Sequence, residues 1–165
     1  MQPLPEPWLR GALVGVSPFV APLVRSFEQA REDLAHWTEG LGPDELWARP
    51  GGLPAVGFQL RHIAGSVDRL GTYLAGGQLS EEQMRALSSE SAAGAEREEL
   101  LTAIDQAFAR CVEIAKSIED LQAARAVGRK ALPTTAMGLI VHIAEHTQRH
   151  VGQAITTAKL CRKMS

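Results

Sequence analysis

The stretch "AVGFQLRHIAGSVDRLGTYLAGG" carries Val56, Leu60, Ile63, Val67, Leu70 and Leu74 at alternating spacings of four and three. A strand would place apolar side chains at every second position, whereas this spacing lines one side of a helix. It predicts a helix over residues 54–75, stopped by Gly76 and Gly77, with a face of the kind that helices bury against one another. A chain holding such a segment must supply further helices to cover it.

Three other segments read that way. The first opens at Ser17 and Pro18, a capping residue followed by proline at the first helical position, and runs to about residue 38, with Pro22 still near its first turn and Gly40 ending it. The third covers residues 96–120, with Glu96, Glu98 and Glu99 at the positive end of the helix dipole and Leu100, Ile104, Ala107, Phe108, Val112 and Ala115 as its inner stripe. The fourth starts at a Thr134 or Thr135 cap after Pro133 and continues to about residue 160, with Lys159, Arg162 and Lys163 at its negative end. Of the connectors, Pro43, Asp44 and Glu45 open a single turn from which Trp47 packs onto the bundle. Residues 78–95 are loop apart from a turn at Ser80, and "ARAVGRKALP" reads as a connector pinned by its arginines. No segment reads as a set of alternating strands. The expectation is an all-α, four-helix bundle, one domain over residues 1–165 with an N-terminal extension over 1–16.

Charge and length narrow the partners. Seventeen Lys and Arg against nineteen Asp and Glu leave a net charge of −2, with no basic block of the kind nucleic acid requires. No apolar run reaches the roughly eighteen residues that span a bilayer, and the proline-broken N-terminus lacks the positive start of a secretory signal. Cys111 and Cys161 have no CxxC spacing and read as reduced thiols. A cytoplasmic protein with no nucleic-acid or membrane partner is expected.

The chemistry concentrates in "VHIAEHTQRHVGQ", which holds three of the five histidines, His142, His146 and His150, each four residues after the last. On a helix all three line one side, and a pair at i and i+4 can reach one divalent ion at roughly 2.0–2.1 Å. At about 100° per residue, Leu139, Ile143, Ala136, Ala154 and Ile140 form an arc centred about 80° from His146; His150 falls about 40° inside its edge and His142 about 40° outside. His146 and His150 are therefore the better pair. An imidazole bordering an apolar face is also commonly just a partly buried side chain. A third ligand has two candidates, His36 at the end of the first helix and His62 within the second; His62 lies about 130° off the densest seam and on periodicity reads as exposed.

"HIAEHTQRHVGQ" resembles the closing H-x3-H-x3-H-x-G-Q pattern of the DinB and YfiT-like superfamily of metal-binding four-helix bundles, and "GFQLRHIAGSVDRLGTYLAG" resembles that family's second helix with its single histidine. The similarity covers nearly the whole chain. It implies that His62, His146 and His150 hold one divalent ion, commonly nickel or zinc, with water in the open positions. It also implies that His142 stands beside them without binding the metal, and that the protein is a homodimer. Gln153, on the ligand side at about −20° from His146, is either a partner orienting an imidazole or the bound water, or an exposed amide.

Three neutral imidazoles leave a divalent ion its full charge, which acidifies a bound water toward neutral pH or activates a thiolate. Two enzymatic readings follow, hydrolysis and transfer of a low-molecular-weight thiol onto a small-molecule electrophile, and members of the superfamily are associated with both. "HIAEH" also spells the H-x-x-E-H of inverted zincins, with Glu145 as base, but Glu145 falls on the polar side of the helix. Arg69 and Tyr73, on the side of His62, either bind an anionic substrate group or are a surface cation and an interfacial phenol. A non-catalytic bundle in which the ion contributes folding energy is the alternative class, and incidental histidines are a third.

Overall fold

The structure is a computed structural model describing residues 4–164, with Lys163 and Met164 described by their backbone alone. In chain order its elements are α1 (Ala21–Trp37), α2 (Pro43–Trp47), α3 (Val56–Leu74), α4 (Glu81–Ser88), α5 (Arg97–Lys116), a hairpin of β1 (Ala124–Val127) and β2 (Leu132–Thr135), and α6 (Ala136–Met164). The four long helices form the bundle. α3 packs against both α5 and α6, and α1 closes the other side mainly against α6.

Apolar spacing accounts for the core. Leu23, Phe27, Ala30 and Leu34 of α1 meet Ile104, Ala107 and Phe108 of α5, and Phe27 and Phe108 stack with ring centroids 3.9 Å apart. On α5 the buried stripe runs through Cys111 rather than Val112, which is partly buried. α1 begins at Ala21 rather than Ser17. Ser17 instead makes a preceding turn, its hydroxyl accepting from the Phe19 amide and its carbonyl from Val20 and Ala21. Pro22 then falls in the first helical turn, where its missing N–H costs nothing. Ahead of it, Arg10 clasps Glu32 of α1 through two hydrogen bonds of 2.6 and 2.8 Å, fixing the extension onto the bundle; residues 1–3 of that extension lie outside the described residues.

Two connectors carry more structure than their sequence suggests. In residues 78–95, Ser80 and Gln83 satisfy each other's amides as a capping box, and a full helix, α4, follows. Gln83 also donates to Asp68 and Thr72, tying α4 to α3. The "ARAVGRKALP" segment is a two-stranded antiparallel hairpin, pairing Ala124 with Thr135 and Val127 with Leu132. Strands of four residues are too short for alternation to be read, and the pairing is made by residues on opposite sides of a turn with Gly128 and Ala131 at positive φ. Arg125 donates to the Leu74 carbonyl at 2.7 Å, pinning the hairpin to the end of α3. Thr135 is the residue that caps α6, accepting from the Gly138 amide at 3.0 Å. At the other end Lys159 lies over the Trp37 ring and Arg162 donates to the Glu39 carbonyl, so both bind the end of α1 rather than merely facing the dipole; the side chain of Lys163 lies outside the described residues.

Candidate metal centre

α3 touches α2, α4, α5, α6 and β1, so its buried surface extends well beyond one seam and takes in Gln59, Ser66 and Arg69. That breadth is why His62, off the seam by periodicity, is half-buried and turned toward α6 rather than exposed. On α6, His146 and His150 stand one turn apart with ring centroids separated by 4.5 Å. The His62 ring lies 4.3 Å from His150 and 5.3 Å from His146. One nitrogen from each of the three lies within 4.8 Å of the others. These are side chains that a small inward adjustment brings around a common point.

Their outer nitrogens are organised. His62 Nδ1 stands 2.6 Å from Glu90 Oε2, and Glu90 Oε1 accepts from Arg69 at 2.6 Å. His150 Nδ1 stands 2.7 Å from Gln59 Oε1, and Gln59 Nε2 donates to Gln153 Oε1 at 3.0 Å. Since both acceptors are oxygens, the hydrogen sits on Nδ1 and the lone pair on Nε2, free for a ligand. His146 Nδ1 is buried with no hydrogen-bond partner. Three imidazoles gathered in one group, with the other nitrogen of two of them anchored, are a donor set that fits a divalent cation.

Electrostatics point the same way. Burial, reinforced by His62 and His146, pushes His150 down to about 4. Burial and then the neighbouring His62 hold His146 below the ordinary imidazole range. Both rings are thus neutral at pH 7, the form that binds metals. Burial resists ionisation of Glu90, but hydrogen bonds from His62 and Arg69 outweigh it and hold its carboxyl below the usual carboxylate range.

Other residues singled out by sequence fall elsewhere. His142 is exposed, 5.4 Å from His146 ring to ring, and its Nδ1 lies 3.3 Å from Glu145; it stands beside the group and outside it. Glu145 is at the surface with Arg149, as its polar-side position required. His36 packs edge-on against Trp37 at the exposed end of α1. Tyr73 is buried in the core, about 16 Å along α3 from His62 at 1.5 Å per residue. Arg69 is not a surface cation: it is 8% exposed and paired with Glu90. Gln153, though exposed, is connected to His150 through Gln59.

Gln59 and Glu90 were not visible as site residues. Gln59 had a local signal, since it precedes His62 by three residues and so shares its side of α3. Glu90 had none, being one acid in a polar connector that reaches α3 only through the fold. A cavity of about 430 Å³ is lined by Gln59, the hydrogen-bond partner of His150, with Arg149, Gln153 and Thr157, and by none of the three histidines. A larger cavity, about 690 Å³, lies between the N-terminal extension and α1, lined by Trp8, Leu13, Val16, Arg25 and Gln29 and by none of the three histidines.

Fold and geometry together define a helical bundle with three imidazole donors, drawn from two facing helices, suited to one divalent ion. The family model of the DinB superfamily matches residues 26–154, a span containing all three histidines, Gln59 and Glu90, and the chain belongs to that superfamily. A comparison with curated proteins finds no match. Among the described residues no helix is long and apolar enough to cross a membrane.

Proposed function

We propose that the protein binds one divalent metal ion, nickel or zinc, through His62, His146 and His150 and is a metal-dependent enzyme acting on a small-molecule substrate, a thiol-dependent transferase or a hydrolase. The observation that carries this reading is the donor group itself: three imidazoles and no fourth donor in the group among the described residues, which leaves coordination positions open. Bound there, the ion supplies its undiminished charge to acidify a water or a thiol. The carboxylates whose charge reaches His146 and His150 are Glu145 and Glu90. The first is tied to Arg149 at the surface and the second lies between His62 and Arg69. Neither is free to serve as a general base, so the ion's own charge must remove the proton from whatever it binds, water or thiol. Transfer of a low-molecular-weight thiol and hydrolysis are the two reactions such a site supports, and the assays below separate them. The cavity beside Gln59 and Gln153 supports a small-molecule substrate. The family resemblance supports a homodimer, which light scattering of the purified chain tests, and two cysteines without a CxxC spacing support a cytoplasmic location.

The test is metal analysis of protein purified without an affinity tag, followed by assays of thiol conjugation to small electrophiles and of simple ester and amide hydrolysis. One equivalent of metal and one of the two activities are expected: thiol-dependent conjugation assigns the transferase class, and hydrolysis without thiol the hydrolytic class. Metal binding with neither activity would reduce the protein to a metal-stabilised module.

A further inference from the structure

We propose that Glu90 is the positioning residue of the histidine group: its carboxylate holds His62 with the hydrogen on Nδ1 and the lone pair on Nε2, so that docking of the 89–95 segment and metal affinity are two faces of one equilibrium. This inference rests on the metal-binding reading above.

The geometry is specific. Glu90 is 5% exposed, and its two oxygens are divided between His62 and Arg69, each at 2.6 Å. A buried carboxylate is costly unless every lone pair it turns inward is matched. A purely structural Arg69–Glu90 pair would need no imidazole on its second oxygen. The close approach to α3 also depends on a missing side chain, because a Cβ at Gly65 would stand 2.6 Å from Glu90 Oε1 and 2.8 Å from an Arg69 guanidinium nitrogen. Glycine is a poor helix former, and here it opens the cradle in which the carboxylate lies.

The segment that delivers Glu90 is held along its length. Arg61 donates to the carbonyls of Ser89, Glu90 and Ala92. The same guanidinium lies over the Trp47 ring at 4.8 Å, and Trp47 Nε1 donates to the Ala95 carbonyl at 3.0 Å. Arg61 and His62 are thus neighbours on α3 with paired tasks, one gripping the segment's backbone and the other receiving its carboxylate. A charge-assisted bond to the outer nitrogen of an imidazole fixes its tautomer and strengthens the inner nitrogen as a donor.

Zinc affinity of the full chain, measured by competition with a chromophoric chelator, and the nitrogen NMR tautomer of His62 in metal-free protein test the proposal together. Glu90→Ala is expected to weaken zinc binding about 10–100-fold and to release His62 into mixed tautomers while His150 keeps its Nδ1 hydrogen. Glu90→Gln retains an oxygen acceptor and nearly the same shape, so it folds and loses less. Gly65→Ala displaces the ends of two flexible side chains without touching a histidine and falls between them. Wild-type zinc affinity and an unchanged His62 tautomer in Glu90→Ala and Gly65→Ala would overturn it. If the wild-type chain takes up no zinc, the metal reading fails, and the tautomer measurement still decides whether Glu90 positions His62.

Discussion

The two sides of the bundle are built from different chemistry. Where α1 faces α5, Phe27, Phe108, Leu34 and Ile104 form an apolar centre, and the polar pairs, Arg31 with Asp105 and Arg97 with the Ala35 carbonyl, lie at its edge. Where α3 faces α6, the half-buried His62, His146 and His150 stand with the buried Gln59, backed by Glu90 and Arg69. The first arrangement gains free energy from burial at roughly 25 cal/mol per Å². The second spends some of it desolvating imidazoles, as the depressed affinity of His146 and His150 for protons records. The contrast shows a scaffold stabilised on one side so that polar donors can be held rigidly on the other.

The comparison is broken most severely by Phe108→Ala, which leaves a cavity against Phe27 and is expected to cost about 3–5 kcal/mol in urea unfolding. Zinc affinity of the folded fraction should stay at the wild-type value, and a parallel loss would show that the two sides are not separable. On the polar side, zinc at about a thousandfold excess over its Kd should add about 4 kcal/mol to wild-type stability. That gain should vanish in His150→Ala, while the metal-free variant loses no more than the roughly 1–3 kcal/mol of leaving the buried Gln59 oxygen without its partner. Gln59→Ala strands His150 Nδ1 and the Gln153 amide together, for an expected cost of about 1–3 kcal/mol, read by thermal melting beside Gln153→Ala, whose effect should be smaller because its side chain reaches solvent.

The pH dependence of the metal-free protein sharpens the contrast further. His150 gains a proton at about 4 when folded and near the ordinary imidazole value of about 6.5 when unfolded. The unfolded chain thus binds more protons between those values. Stability should be fully present above pH 6.5 and fall as pH is lowered toward 4, with a shallower slope in His150→Ala. A slope identical in both proteins would remove the desolvation argument. The smallest effect is expected at Cys111, 1% exposed and with its thiol pushed up to about 12 by burial: alkylation of the native protein at pH 8 should leave it unmodified.

The helical reading was legible because the seam of α3 and the Thr135 cap are local patterns. His146 and His150 were legible as a pair for the same reason, one turn of a single helix setting their spacing. His62 was not, since periodicity places it away from the seam; the resemblance of its segment to a known second helix, rather than the angle, pointed inward. The structure supplies the reason in the number of neighbours around α3. The 124–135 hairpin escaped notice because its ladder joins two segments that are each only four residues long.

Residue order alone determined which stretches become helices, which face of each is apolar, and that two imidazoles share one turn, because these follow from interactions within about four residues along the chain. Which third histidine joins that pair, that Gln59 and Glu90 carry the outer nitrogens, and that Gly65 makes room for a carboxylate were decided by tertiary packing. The hydrogen bonds to the outer nitrogens join residues 28 and 91 positions apart, and their geometry exists only once the helices have docked.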